Sequence, residues 1–392
     1  MTRRCKTRAA AVYYLEMLNP EDPMPLITEL SLDNFRNFER AEFRFSGNDV
    51  LLIGPNGSGK SNLLESIGIL SILRSFRGAG IRETVRIGEK GFTLRGRIDT
   101  GRYPEELLVR DYRTAPRELF IDGRRISRAS EFIREFRTVV FAPEDRELAA
   151  GSAGCRRRYF DMMISAVDPG YLSALSRYDR ALSQRNRALK SSAPQRIAAI
   201  RAFEPELASM LPVIVSARER YARTVENEVN RLLGDKAQFG VRYAPDAGAD
   251  AETHLKRLAA EREKDLLRGI TGSGPQRDDF EFMLNGRRLR GFGSTGQLRL
   301  ATLLLKLAEF SVIRGNSSAR VAVLADDVTG ELDATNRELF FSVIAAADQR
   351  FYTFTEVPDY PGLRGAEVIR LAPTPGKTRE PEPESGEKQI SS

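Results

Sequence analysis

Gly54-Pro55-Asn56-Gly57-Ser58-Gly59-Lys60-Ser61 sets glycines, a lysine and a hydroxyl at the spacing G-x-x-x-x-G-K-[ST]. Glycines let a backbone curl until successive N–H groups point at one anion, and a helix starting there adds its positive end. The lysine then reaches the outer phosphates of a nucleoside triphosphate such as ATP, and the Ser61 hydroxyl suits Mg2+. A second group, Asp326-Asp327, ends the apolar run Val321-Ala322-Val323-Leu324-Ala325. Beside such a loop, Asp326 suits the metal, directly or through water, and Asp327 suits polarising a water for attack on the terminal phosphate. Taken alone, two acids at a strand end are ordinary solvated charges; the loop changes that reading. A third group, Ser294, Gly296 and Gln297, opens an apolar helix, where free N–H groups and a positive dipole end meet a hydroxyl. By itself Ser294 reads as a helix cap. Gly330-Glu331-Leu332-Asp333 follows shortly after the acids.

These groups need particular elements to hold them. Asp49 to Ile53 reads as a buried strand leading into the loop, and Asn62 to Arg74 as a helix with Leu63, Leu64, Ile67, Leu70 and Leu73 inward. The helix from Gln297 to about Ile313 has almost no polar face and is expected to be buried. Phe351 to Thr355 reads as a strand carrying Thr353 and Thr355. Residues 25 to about 125 are strand-rich, with a tight turn at Asp122-Gly123. From about 145 to 265 the pattern is helical: Tyr159, Met162, Met163 and Ala166, then Leu172, Leu175, Tyr178 and Leu182, broken at Pro169-Gly170. That stripe reads as core packing. From about 274 strands return, and Phe280 to Leu284 followed by Asn285-Gly286 signals a hairpin.

The expected fold class is α/β, with an inserted helical lobe. The expected division is an uncertain extension at 1–23, a first ATPase part at 24–140, a helical lobe at 141–268, a second ATPase part at 269–372, and a disordered tail at 373–392. The 392 residues allow two or three domains, and 41% hydrophobic residues supply ordinary cores. A net charge of +7 permits a polyanionic partner without demanding one. Two cysteines, Cys5 and Cys155, make neither a disulfide framework nor a zinc site, which fits a reducing cytoplasm. No apolar run approaches the roughly 18 residues of a membrane span.

The order of motifs, with a helical insertion between loop and acidic strand, resembles ABC-type ATPase heads of the SMC group, with a signature motif at Ser294 and a D-loop at Asp333. The insertion is too short for a long coiled-coil arm. Within that group the chain resembles the RecF family, from Met24 to about Pro373. The resemblance rests on Leu32-Asp33-Asn34-Phe35-Arg36-Asn37-Phe38, Arg74-Ser75-Phe76-Arg77, Phe141-Ala142-Pro143-Glu144-Asp145, Arg156-Arg157-Arg158-Tyr159-Phe160-Asp161, Gln184-Arg185-Asn186 and Gly274-Pro275-Gln276-Arg277-Asp278-Asp279. Gln276 stands where the family usually has His, Ala142 where it has Ser, and Ala325 and Gly330 also depart from the pattern. Gln276 cannot titrate, which puts any proton transfer there in doubt.

The resemblance implies an ATP-dependent homodimer in which the signature of one subunit caps the phosphate held by the loop of the other, with slow hydrolysis. It implies DNA as partner, both duplex and single/double-strand junctions. It further implies RecR- and RecO-like mediators and a recombinase, and a place in replication, recombinational repair and the SOS response. Arg156-Arg157-Arg158, Arg185, Arg187, Lys190, Arg287, Arg288 and Arg290 are candidate phosphate contacts, although any single cluster reads more readily as a solvated or ion-paired face. Without tryptophan or a groove-reading helix, backbone and shape recognition is expected. A transport ATPase subunit is disfavoured because no histidine follows the D-loop region, His254 being the single one. A nucleotide-gated scaffold with vestigial turnover, and another short-armed SMC-group ATPase, stay open as alternatives.

Overall fold

The computed structural model describes residues 26–99, 103–133, 135–316, 320–328, 330 and 332–372. The expected extension at 1–23, the tail at 373–392, Cys5 and Glu331 lie outside these.

In chain order the first half contributes β1 (Ile27–Phe35), β2 (Phe38–Arg44), β3 (Asp49–Ile53), α1 (Lys60–Ile72), β4 (Gly91–Asp99), β5 (Pro104–Tyr112), β6 (Glu118–Ile121), β7 (Arg124–Ile126) and β8 (Arg137–Phe141). Next come α2 (Ala153–Val167), α3 (Pro169–Leu189), α4 (Arg196–Leu233), β9 (Phe239–Ala244), α5 (Ala251–Ala260) and α6 (Arg262–Arg268). The last part holds β10 (Asp279–Leu284), β11 (Arg287–Arg288), α7 (Thr295–Gly315), β12 (Val321–Ala325), α8 (Ala334–Ile344), β13 (Gln349–Phe354) and β14 (Glu367–Arg370).

Three sheets result. An antiparallel sheet runs β2-β1-β4-β5-β6-β7, a parallel one runs β14-β3-β13-β12-β8, and a small antiparallel one runs β11-β10-β9. The central strand β12 is an unbroken apolar run and β3 is one after Asp49, because both their faces are covered, whereas β14 at the edge alternates with exposed residues. Val50 and Leu52 of β3 pack with Leu63, Leu64 and Ile67 of α1 in one core. Leu51 and Ile53 point the other way, into a core shared with Leu304, Leu305 and Ala308 of α7. Buried Gln349 joins two sheets: its Oε1 accepts from Ile27 N at 2.7 Å, and its Nε2 donates to the carbonyls of Ile27 and Gly47.

In the helical lobe Asp168 ends α2 and caps α3, its carboxylate accepting from Tyr171 N, which places the break where Pro169-Gly170 predicted one. The helical pattern read through to about 265 is interrupted by β9, whose six residues pair with β10 from Phe239–Leu284 to Ala244–Asp279. The reason is tertiary: Phe239 and Val241 face the shared core, and strand pairing with β10 satisfies their backbone. Asn285 and Gly286, with φ of 50° and 74°, form the expected hairpin turn between β10 and β11.

Charged side chains close the lobe from within. Arg218 of α4, 2% exposed, donates to Asp278 Oδ2 and the Pro275 carbonyl, both at 2.7 Å, and to both carboxylate oxygens of Asp161. The hydroxyls of Tyr171 and Tyr243 donate to Asp161 and Asp278. Arg156 pairs with Asp279, and Arg185, fully buried, pairs with Asp265 and Glu204. Arg156 and Arg185 are therefore withdrawn as phosphate contacts: their charge is spent inside the fold, which the sequence run of arginines did not reveal.

Candidate nucleotide-binding site

Parallel strands end together, and the crevice beyond their carboxyl ends is where such sheets bind ligands. Register puts Ile53 opposite Phe354 and Ala325 opposite Tyr352, so β3, β13 and β12 stop at one edge. The phosphate loop, Asp326-Asp327 and Thr353–Thr355 thus line a single cleft of about 290 Å³.

The loop is shaped by its glycines. Gly57 and Gly59 have φ of 81° and 99°, in the left-handed region. A Cβ at Gly59 would lie 2.7 Å from Asn37 Nδ2 and 2.9 Å from Phe38, so the β1–β2 turn presses directly on the loop. The Lys60 ammonium donates to the carbonyls of Gly54 (2.7 Å) and Pro55 (3.0 Å), spanning the loop. The Ser58 hydroxyl is buried and has no hydrogen-bond partner among the described residues, a polar atom left unsatisfied at the loop. These features fit a phosphate chain.

Asp326 organises the other wall. Its Oδ1 accepts from Ser61 Oγ at 2.8 Å and from Thr353 Oγ1 at 2.9 Å, so two hydroxyls from two elements converge on one oxygen. Burial raises its pKa above the ordinary carboxylate value, opposed by the hydrogen bonds from Ser61 and Thr353 and by the charge of Arg77. A hydroxyl and a carboxylate in contact are a hard-oxygen donor set that fits Mg2+. When bound, the ion would neutralise charge on the phosphates; Ser61 and Asp326 would hold it. Asp327 is exposed, with φ of 52°, a left-handed conformation that Asp tolerates better than most residues. Its N–H donates to Thr353 Oγ1 at 2.9 Å. Thr353 therefore positions both acids.

Three contributors were not assigned as site residues from sequence. Thr353 reads in the sequence as a strand residue in the region where transport ATPases carry a histidine, with no site role attached. Arg77 lines the cleft and donates to Asn62 Oδ1 at 3.0 Å, and Asn62 in turn donates to Asn37. Behind them, buried Glu65 accepts from Arg36 at 2.7 and 2.8 Å and from Ser75 at 2.5 Å, tying the β1–β2 turn and the Arg74–Arg77 segment to α1. The signal was present in the segments Leu32–Phe38 and Arg74–Arg77; what was missing was that all of them meet α1.

Ser294, Gly296, Gln297 and Asp333 do not line this cleft. Ser294 is exposed and caps α7 in a reciprocal box: its N–H donates to Gln297 Oε1 at 2.9 Å and its Oγ accepts from Gln297 N at 3.3 Å. Asp333 caps α8, accepting from Asn336 N at 2.8 Å. Gln276, the departure from the expected motif, accepts from the Tyr178 hydroxyl at 2.5 Å and donates to the Ser273 carbonyl, away from the cleft.

The chain is similar to known proteins in sequence and in fold. The family profile described as "RecF/RecN/SMC N terminal domain" matches residues 26–355. Proteins named DNA replication and repair protein RecF are 32% identical over 350 residues in Caldanaerobacter subterraneus subsp. tengcongensis, covering 86% of this chain and 96% of that protein. In Bacillus subtilis the figures are 31% over 364 residues, 88% and 98%. Two solved structures of the recombination mediator protein RecF in the RecFOR pathway superpose closely. The ATPrS complex gives TM-score 0.78 at 30% identity, covering 89% of this chain and 96% of that one. The ATP complex gives 0.79 at 29%, covering 88% and 95%.

Proposed function

We propose, from the premise that this chain belongs to the RecF family of DNA replication and repair proteins and has its ABC-type ATPase head with a helical lobe, that it is a cytoplasmic, ATP-dependent DNA-binding protein of recombinational repair. Its loop residues hold ATP, and Ser61 and Asp326 hold Mg2+. Asp327 orients the attacking water in a slow hydrolysis.

The observation that carries this reading is the pair of hydroxyls, from Ser61 and Thr353, on one oxygen of Asp326 beside the phosphate loop. The exposed, self-capped Ser294 lies off that cleft. A second copy of the chain would bring its signature turn to the bound phosphates, so that ATP joins two subunits and hydrolysis releases them. DNA with duplex and single-strand segments is the partner on this reading. RecR- and RecO-like mediators and a recombinase act downstream.

Duplex binding measured against salt, with ATP or ADP and with mass followed by light scattering, tests the reading. ATP should produce a dimer that binds DNA, and Lys60→Ala and Ser294→Arg should each abolish it. A dimer whose DNA affinity never responds to ATP would sink the repair assignment and leave a nucleotide-gated scaffold. Asp327→Ala, compared with wild type in a turnover assay, separates hydrolysis from mere gating.

A further inference from the structure

A second cleft, of about 410 Å³, lies where the nucleotide lobe meets the helical lobe. Its floor is apolar, made by Ile72 and Ile133 from one side and by Met162, Leu172 and Leu175 from α2 and α3. Its rim is cationic. Arg74 follows α1, and Arg157 and Arg158 lie on α2.

The charges facing the cleft are unequally compensated. Arg218 and Asp161 also line it, but they are committed to each other at 2.8 Å. Arg157 donates to the Asp278 carbonyl at 2.6 Å, and Arg158 lies 3.4 Å from the Ser75 carbonyl. A carbonyl accepts a hydrogen bond without cancelling the charge. Burial first, then the nearby Arg218, pulls the Arg157 pKa below the ordinary guanidinium value, against the opposing charges of Asp161, Asp278 and Asp279. Asp179, on the rim, is the acid that faces Arg74. At the back, on β8, the buried Thr138 hydroxyl has no hydrogen-bond partner among the described residues.

An apolar floor under a guanidinium rim matches a nucleotide, which has a flat hydrophobic base and an anionic phosphate. The volume lies within the roughly 300–1,000 Å³ of small-ligand sites. A duplex, whose major groove alone is about 12 Å across, cannot enter. We infer that this cleft captures one unpaired nucleotide, its base on Met162, Leu172 and Leu175 and its phosphate on Arg74, Arg157 and Arg158. The inference rests on the DNA-binding reading above for a strand as the source of that nucleotide; a free mononucleotide is the other source.

The test uses the full chain with ATP saturating the phosphate loop. A fluorescent, 5′-phosphorylated oligothymidylate of eight residues is the probe, with dTMP and thymidine as competitors and a blunt duplex measured in parallel. The oligonucleotide should bind, and dTMP should displace it while thymidine does not. Arg74→Glu, and Leu175→Trp, which fills the floor without altering charge, should each weaken it at least tenfold and leave blunt-duplex affinity within twofold. Wild-type affinity in both variants, or no binding of either the oligonucleotide or dTMP to the wild type, overturns the inference whatever the duplex does. Binding of dTMP alone, with no oligonucleotide bound, assigns the cleft to free nucleotides. Loss of duplex binding in the wild type, with dTMP still bound, removes the repair reading and keeps the site.

Discussion

Around Asp326 polar groups converge toward an opening; around Arg218 they converge on each other. Both clusters join distant segments through short hydrogen bonds, and both bury charge. Asp326 receives two hydroxyls and lines a cleft. Arg218 also borders a cleft, the one between the lobes, but its donors all end on Asp161, Asp278, the Tyr171 hydroxyl and the Pro275 carbonyl, so none is left for a ligand. The difference separates two uses of buried charge. A closed cluster makes the helical lobe one arrangement rather than several, whereas an open one retains ligand capacity at a cost in solvation.

Substitutions test that contrast. Arg218→Ala strands the fully buried carboxylate of Asp278, and removing one partner of a buried pair costs about 3–5 kcal/mol. Urea unfolding should register that loss, and a loss below 1 kcal/mol, taken as about the worth of an exposed pair, would show that the cluster is not structural. Asp326→Asn should do the opposite. The amide carbonyl can still accept from Ser61 and Thr353 while the buried charge disappears, so stability holds or rises and Mg2+-dependent turnover collapses. Lowered stability in that variant would erase the distinction between the clusters.

Gln349→Ala probes the seam between the sheets. Leaving Ile27 N–H buried without its acceptor should cost about 1–3 kcal/mol by the same unfolding measurement, with nucleotide affinity unchanged. Ser294→Ala removes a helix cap worth about 1 kcal/mol. An ATP-dependent dimerisation defect larger than that stability loss would mark the turn as more than a cap.

The smallest effect is one of pH. Burial, then the charge of Arg257, lowers the pKa of His254, so below its unfolded value near 6.5 the unfolded chain binds the extra proton. Stability should therefore fall on acidification from pH 7, with a contribution from this residue of at most about 1.4 kcal/mol per pH unit. His254→Gln should flatten that part of the pH profile; an unchanged profile would show that His254 does not report on burial.

Much of this was legible residue by residue. The phosphate loop between β3 and α1, the acids after β12, the break at Asp168 and the β10–β11 turn are local patterns, set by glycine conformations, helical and strand periodicity and caps. For Arg156 and Arg185 the ion-paired alternative holds over the phosphate-contact reading, and a one-dimensional run of arginines does not show which acids fold against it. β9 was missed for the same kind of reason: its partner β10 begins 35 residues after Ala244.

The amino-acid sequence by itself determined the glycine loop between β3 and α1 and the acids after β12, since loop curvature and strand termination depend on neighbours along the chain. Only the tertiary structure decided that Thr353 carries both acids, that Arg77 joins the cleft, and that Ser294 stands apart from it. Those relations arise where parallel strands far apart in sequence end at one edge, and hydrogen bonds a few ångströms long can be made only after that edge exists.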